Sequence, residues 1–100
     1  MTATLFQTDR IQQRFEAFHS KNPRLYRLFK QFARDIKRAG YEHYSADAIL
    51  HRVRWHVDIE TRGGDGYSIN NNYSSRYARK LMDECPEFAG FFRLRELRST

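Results

Sequence analysis

Cysteine is almost missing from this 100-residue chain: Cys85 stands alone, which excludes an internal disulfide and suits a reducing compartment. Long apolar runs are missing too. No stretch approaches the roughly 20 residues that cross a bilayer, and no charged-then-apolar leader opens the chain at Met1-Thr2-Ala3-Thr4. The expectation is a cytoplasmic protein with no membrane partner. Glycine is concentrated in one place, Thr61-Arg62-Gly63-Gly64-Asp65-Gly66, which lacks the G-x-x-x-x-G-K-[ST] pattern of a phosphate loop and the G-x-G-x-x-G of a dinucleotide site. Asp65-Gly66 is a favoured turn pair, and a turn suffices to explain it.

Metal and catalytic signatures are equally scarce. His19, His43, His51 and His56 have no ligand spacing, and His51 and His56, five residues apart on one helix, diverge by about 140°. No metal and no cofactor is expected. Cys85 beside Pro86 reads as a small buried hydrophobe rather than a nucleophile. The acids Asp58 and Glu60, or Asp83, Glu84 and Glu87, have no nuclease motif around them, and among so many arginines they read as surface pairs. No catalytic residue is assigned, and the chain is not read as an enzyme.

What the chain does have is aromatic residues and arginine. Eight phenylalanines, six tyrosines and one tryptophan give an aromatic-rich core to a single domain over 1–100, which argues against disorder. The formal charge is +6 with a pI near 9.8, and fourteen of the eighteen basic residues are arginine. Arginine's planar fork matches phosphate and the edge of guanine, so the bias favours nucleic acid; an acidic patch on a protein is the other partner that composition allows.

Three helices precede the glycine-rich turn. The first lies within 5–19, starting near Thr8-Asp9 with Gln12 as a capping-box partner, and buries Ile11, Phe15 and Phe18. Asn22-Pro23 opens the second, with asparagine as cap and proline at the first helical position, and Gly40 stops it. Leu25, Leu28, Phe29, Phe32, Ile36 and Ala39 share its core face. Arg24, Arg27, Lys30, Arg34, Lys37 and Arg38 occupy the other side against one acid, Asp35, which makes either a solvated face or a basic rod for a phosphate backbone. Ser45 caps the third helix, with Asp47 in its first turn and Ile49, Leu50, Val53 and Val57 as its stripe. Ala48, Trp55 and Ile59 fall on the far side. A helix apolar on two faces is either sandwiched or exposes a functional tryptophan. The expected strands favour the sandwich, with Trp55 in the core and His51, Arg52, Arg54 and Arg62 at its rim.

Residues 66–97 organise the rest. Tyr67 and Ile69, then Phe92 and Leu94, alternate with polar residues at the strand period, while Tyr77, Ala78, Leu81 and Met82 recur at helical spacing. Asn72 or Ser74 is the expected helix cap and Pro86 ends the helix. Its charges oppose the macrodipole: Arg76, Arg79 and Lys80 lie in the first half and Asp83 and Glu84 at the end. An anion at the helix start would reverse that penalty, and a phosphate backbone is the obvious candidate. The alternative is an ordinary solvated face behind an asparagine turn.

The segments Asn22-Pro23-Arg24-Leu25-Tyr26, Ile49-Leu50-His51-Arg52-Val53-Arg54-Trp55, Asn70-Asn71-Asn72-Tyr73-Ser74, and Pro86-Glu87-Phe88 through Phe92 resemble a group of small uncharacterised proteins of tailed phages and prophages. The resemblance covers most of the chain. It implies a phage or prophage origin and the cytoplasm of a host bacterial cell, and transfers no functional residue.

The fold expected is mainly α with a small two-stranded sheet that pairs 67–69 with 92–94, a helix-turn-helix or winged-helix-like single domain. The function expected is double-stranded DNA binding by a small phage-type regulator. Asn71, Asn72, Ser74, Ser75, Arg76, Arg79 and Lys80 would form the DNA-facing helix start, and Arg24, Arg27, Arg93 and Arg95 would hold phosphates. The alternative is a phage-encoded inhibitor of a host protein, for example an anti-defence or anti-CRISPR protein, acting through the same basic face.

Overall fold

Asn22 closes the helix before it rather than capping the one after it. In the computed structural model, which describes residues 2–60, 69 and 72–93 with side chains from residue 10 onward, α1 runs Thr2–Lys21 and α2 runs Pro23–Arg38. The Asn22 side chain makes no capping bond to α2. Its Nδ2 instead donates back to the Phe18 carbonyl at 2.9 Å, closing α1, while Pro23 begins α2 without a donor to satisfy. The first helix therefore continues through Ser20 and Lys21, two residues past the end expected at His19. Gln12 does not cap it and bonds Glu16 at 3.1 Å.

Gly40 ends α2 as expected. With φ at +104 it takes a conformation that L side chains rarely adopt, its N–H reaches the Lys37 carbonyl at 3.0 Å, and the Tyr41 N–H reaches the Ile36 carbonyl at 3.4 Å. That pair of bonds is the Schellman closure. On the core face Leu25, Tyr26, Phe29, Phe32 and Ala33 are buried, and Leu28 and Ile36 pack partly against them. Ala39 is exposed at the C-cap.

The third helix, α3, spans Ala46–Trp55 and continues through a π-helical turn, His56–Glu60. Ser45 Oγ accepts the Ala48 N–H at 3.2 Å, the cap its sequence promised. Ile49, Leu50, Val53 and Val57 are buried. Trp55 is not: it is 57% exposed and Ile59 54%, so the sandwich expectation fails. One face of this helix meets α2 and α4, and none of the described residues forms a strand to cover the other.

The last long helix, α4, spans Tyr73–Glu84, and Cys85 turns extended before Pro86, which opens a short 3-10 turn, Pro86–Phe88. Cys85 is a free, buried thiol. Of the expected last strand, Phe91 and Phe92 are both buried and meet edge to face at 5.0 Å. Neighbouring residues on a strand point to opposite faces, so two adjacent core phenylalanines require the turn observed here after Gly90. No strand occurs among the described residues; Tyr67, Ser68 and residues 94–97 lie outside them.

These helices enclose one aromatic core. Tyr77 at its centre is fully buried, meeting Phe15 edge to face at 4.9 Å, Phe29 at 5.5 Å and Tyr26 at 6.1 Å. Phe15 brings α1, Tyr26 and Phe29 bring α2, and Ile49, Leu50 and Val53 bring α3 to the same cluster. The fold is thus mainly helical, and α4 is its internal element, burying six of its twelve residues.

Candidate functional site

The outer face of α2 is the most continuous basic surface described. Arg24, Arg27, Gln31, Arg34 and Arg38 recur at three- and four-residue steps, all exposed, with Lys37 beside them. From Arg24 to Arg38 the helix rises about 21 Å, roughly the length of six phosphates along one strand of B-DNA. Two ion pairs touch this row, Arg34 to Glu87 at 3.7 Å and Arg38 to Asp35 at 3.9 Å. Both are long and exposed, worth about 0–1 kcal/mol, and do not neutralise the face. Arg24 and Arg27 have no ion-pair partner among the described residues.

The residues expected on the DNA-facing end of α4 are not brought together on a surface. Asn72 is exposed at the N-cap position and makes no side-chain capping bond. Ser74 is buried and donates its hydroxyl to the Asp47 carboxylate, pinning α4 to α3. Ser75 is half-buried, and Arg76 is buried at 6% exposure. Arg79 and Lys80 are half-buried, the latter paired with Glu84 at 2.8 Å and lying 5.3 Å from the Tyr26 ring centre. Arg93 is exposed. Asn71 and Arg95 lie outside the described residues. As folded, Ser74 and Arg76 do not present their side chains to a base edge, because both are buried.

Arg76, Arg79 and Lys80 converge instead on a cleft of about 360 Å³ between α1 and α4, lined on the α1 side by Gln12, Phe15, Glu16 and His19 and at its far end by Asp83 and Glu84. Arg76 and His19 line this cleft, and Arg76 Nε and Nη2 and His19 Nδ1 are buried without a hydrogen-bond partner. Burial, with repulsion from Arg79, lowers the proton affinity of the Arg76 guanidinium. Glu84 is held below the usual carboxylate range by bonds from Lys80 and from the Tyr26 hydroxyl at 2.7 Å. Tyr26 is raised, first by burial and then by that bond.

His19 is lowered by burial and by Lys80, with Glu84 acting in the opposite sense, and its ring packs on Phe15, Tyr26 and Tyr77. A histidine whose folded pKa lies below its unfolded value takes up a proton on unfolding. Its contribution to stability is complete above about pH 6.5 and is lost as pH falls from there through the lower folded pKa. Between about pH 7 and pH 5 the urea midpoint of the wild type is expected to fall more than that of His19→Phe, which keeps the ring packing and lacks the titration.

Sequence reasoning read the charge on α4 and missed its direction. The available signal was Tyr73, Arg76 and Tyr77, which share one helical face at i, i+3 and i+4 and so bury together. The exposed pair Trp55 and Ile59, one turn apart, is the second surface it misplaced.

Among the described residues no group of three or more His, Cys, Asp or Glu could hold a metal ion, and no helix is long and apolar enough to cross a membrane. The fold and the site define a mainly helical protein with one outward basic helix face and one inward arginine. Comparison with known protein families, with curated proteins and with solved structures finds no match for the chain.

Proposed function

We propose that the protein is a small phage-type regulator that binds double-stranded DNA in the host cytoplasm, gripping the phosphate backbone with the outer face of α2. The observation that carries this reading is the row Arg24, Arg27, Arg34 and Arg38, exposed along about 21 Å of one helix and scarcely neutralised. Arginine suits it better than lysine, since a planar fork can take two oxygens of one phosphate. Contact of this kind fixes position on the duplex and reads no base directly. A helix-turn-helix insertion of α4 is not part of the proposal, because Ser74 and Arg76 face inward.

Fluorescence anisotropy of a labelled duplex tests it. Four arginine–phosphate contacts give an expected slope of about −3.6 in log affinity against log salt. A host-protein inhibitor is the second reading, and the exposure of Trp55 and Ile59 beside exposed His51 and Arg52 favours it, as Trp and Arg anchor many interfaces. On that reading duplex binding would be weak even at low salt, and substitution of Trp55 would remove partner binding.

A further inference from the structure

The cleft between α1 and α4 is lined by an arginine that is buried without an ion-pair partner among the described residues. Arg76 is 6% exposed, yet no carboxylate among the described residues pairs with it, and its Nε and Nη2 have no hydrogen-bond partner. Those two nitrogens form the side-on edge of the guanidinium, the edge that takes both oxygens of a carboxylate or two oxygens of a phosphate. A buried cation left unpaired destabilises a protein, so an arginine kept in this state needs a reason outside the fold.

The surrounding acids do not supply one. Glu84 is engaged by Lys80 at 2.8 Å and Tyr26 at 2.7 Å; Glu16 is exposed and takes the Gln12 amide; Asp83 is exposed. Negative charge therefore sits at the rim and positive charge at the floor, where His19 Nδ1 also lacks a partner. The same rim of acids repels a polyanion such as duplex DNA far more strongly than a small molecule with a single oxyanion, because the repulsion scales with the charge that approaches. The volume, about 360 Å³, lies at the lower end for ligand pockets.

We infer that this cleft is a binding site for a small molecule bearing one carboxylate or phosphate group, with the Arg76 fork as its anchor. The site is separate from the α2 face and does not depend on what that face binds. A ligand there would clamp α1 against α4, so occupancy should register as stability of the whole fold.

The test uses inorganic phosphate and acetate as separate probes at constant ionic strength, with wild type, Arg76→Met and Arg76→Lys. The wild-type melting temperature is expected to rise with at least one probe, and the Arg76 Nε–H signal in a 15N-arginine spectrum to shift along the same titration. The arm that responds identifies the oxyanion. Arg76→Met should bind about 10- to 100-fold more weakly and, free of the unpaired charge, melt at a higher temperature without probe. Arg76→Lys, which keeps the charge and loses the fork, should not restore affinity. Equal responses in wild type and Arg76→Met, or an Nε–H signal unmoved by either probe, overturn the inference. So does a fall in duplex affinity in Arg76→Met, which would make the cleft part of the DNA face. Should Arg76→Met fail to fold, the wild-type signal and Arg76→Lys decide the matter alone.

Discussion

Tyr77→Ala is expected to destabilise the fold by about 3–5 kcal/mol, the range for emptying a large aromatic from a core. A 100-residue domain loses at least about 4 °C of melting temperature per kcal/mol, so the midpoint should fall by roughly 12 °C or more. The size of the effect follows from position. Tyr77 is fully buried and its ring touches Phe15 from α1 and Tyr26 and Phe29 from α2, so its loss opens a cavity where three helices meet. Tyr77→Phe should behave oppositely. The Tyr77 hydroxyl is buried without a partner, and burial raises its pKa, so removing it discards a desolvated polar group and keeps the ring. Thermal melts followed by circular dichroism are expected to show Tyr77→Phe at or above the wild-type midpoint. A large loss in Tyr77→Phe would show that the hydroxyl is satisfied in solution.

Reversing charge at the start of α2 carries the largest expected functional effect. Arg24→Glu/Arg27→Glu should weaken duplex binding on the order of a hundredfold near physiological salt and roughly halve the salt slope, since two of four phosphate contacts are replaced by repulsion. Stability should change little, within about 0.5 kcal/mol per site, because both side chains are exposed and neither has an ion-pair partner among the described residues. That separation of effects matters, since a variant that binds poorly because it is unfolded would show both. Retained affinity in a folded double variant would remove α2 from the interface and leave the Trp55 surface as the better candidate.

The parts of this fold that local chemistry determines were legible in the sequence. Pro23 and Gly40 bound α2, Ser45 caps α3 through its hydroxyl, and Pro86 ends the helix before it, because each acts on backbone within a turn or so of itself; the cap expected of Asn22 on α2 is not made. The apolar stripes of α2 and α3 were readable for the same reason. The sheet was not a sound inference, since two-residue alternations such as Phe92 and Leu94 are too short to separate a strand from a turn, and only the chain packed around them makes Phe91 and Phe92 both core. Trp55 was assigned to the interior on the strength of strands expected to cover it, and its exposure corrects that assignment.

The candidate site divides the same way. Charge on the outer face of α2 is a property of one helix and could be counted along it. The inward turn of Arg76 depends on Phe15 of α1 lying against Tyr73 and Tyr77, a contact across more than fifty residues that no local pattern records. Charge opposed to the helix dipole did mark α4 as unusual, and the cleft is where that anomaly leads.

The most direct measurement is a 15N amide titration of the whole protein with a short duplex at low salt. Binding by the outer face of α2 predicts shifts centred on Arg24, Arg27, Gln31, Arg34 and Arg38, fading as salt is added, with Asn72, Ser74 and Arg76 unmoved. Shifts centred on residues 72–80 with α2 silent, or no shift anywhere at low salt, would contradict it.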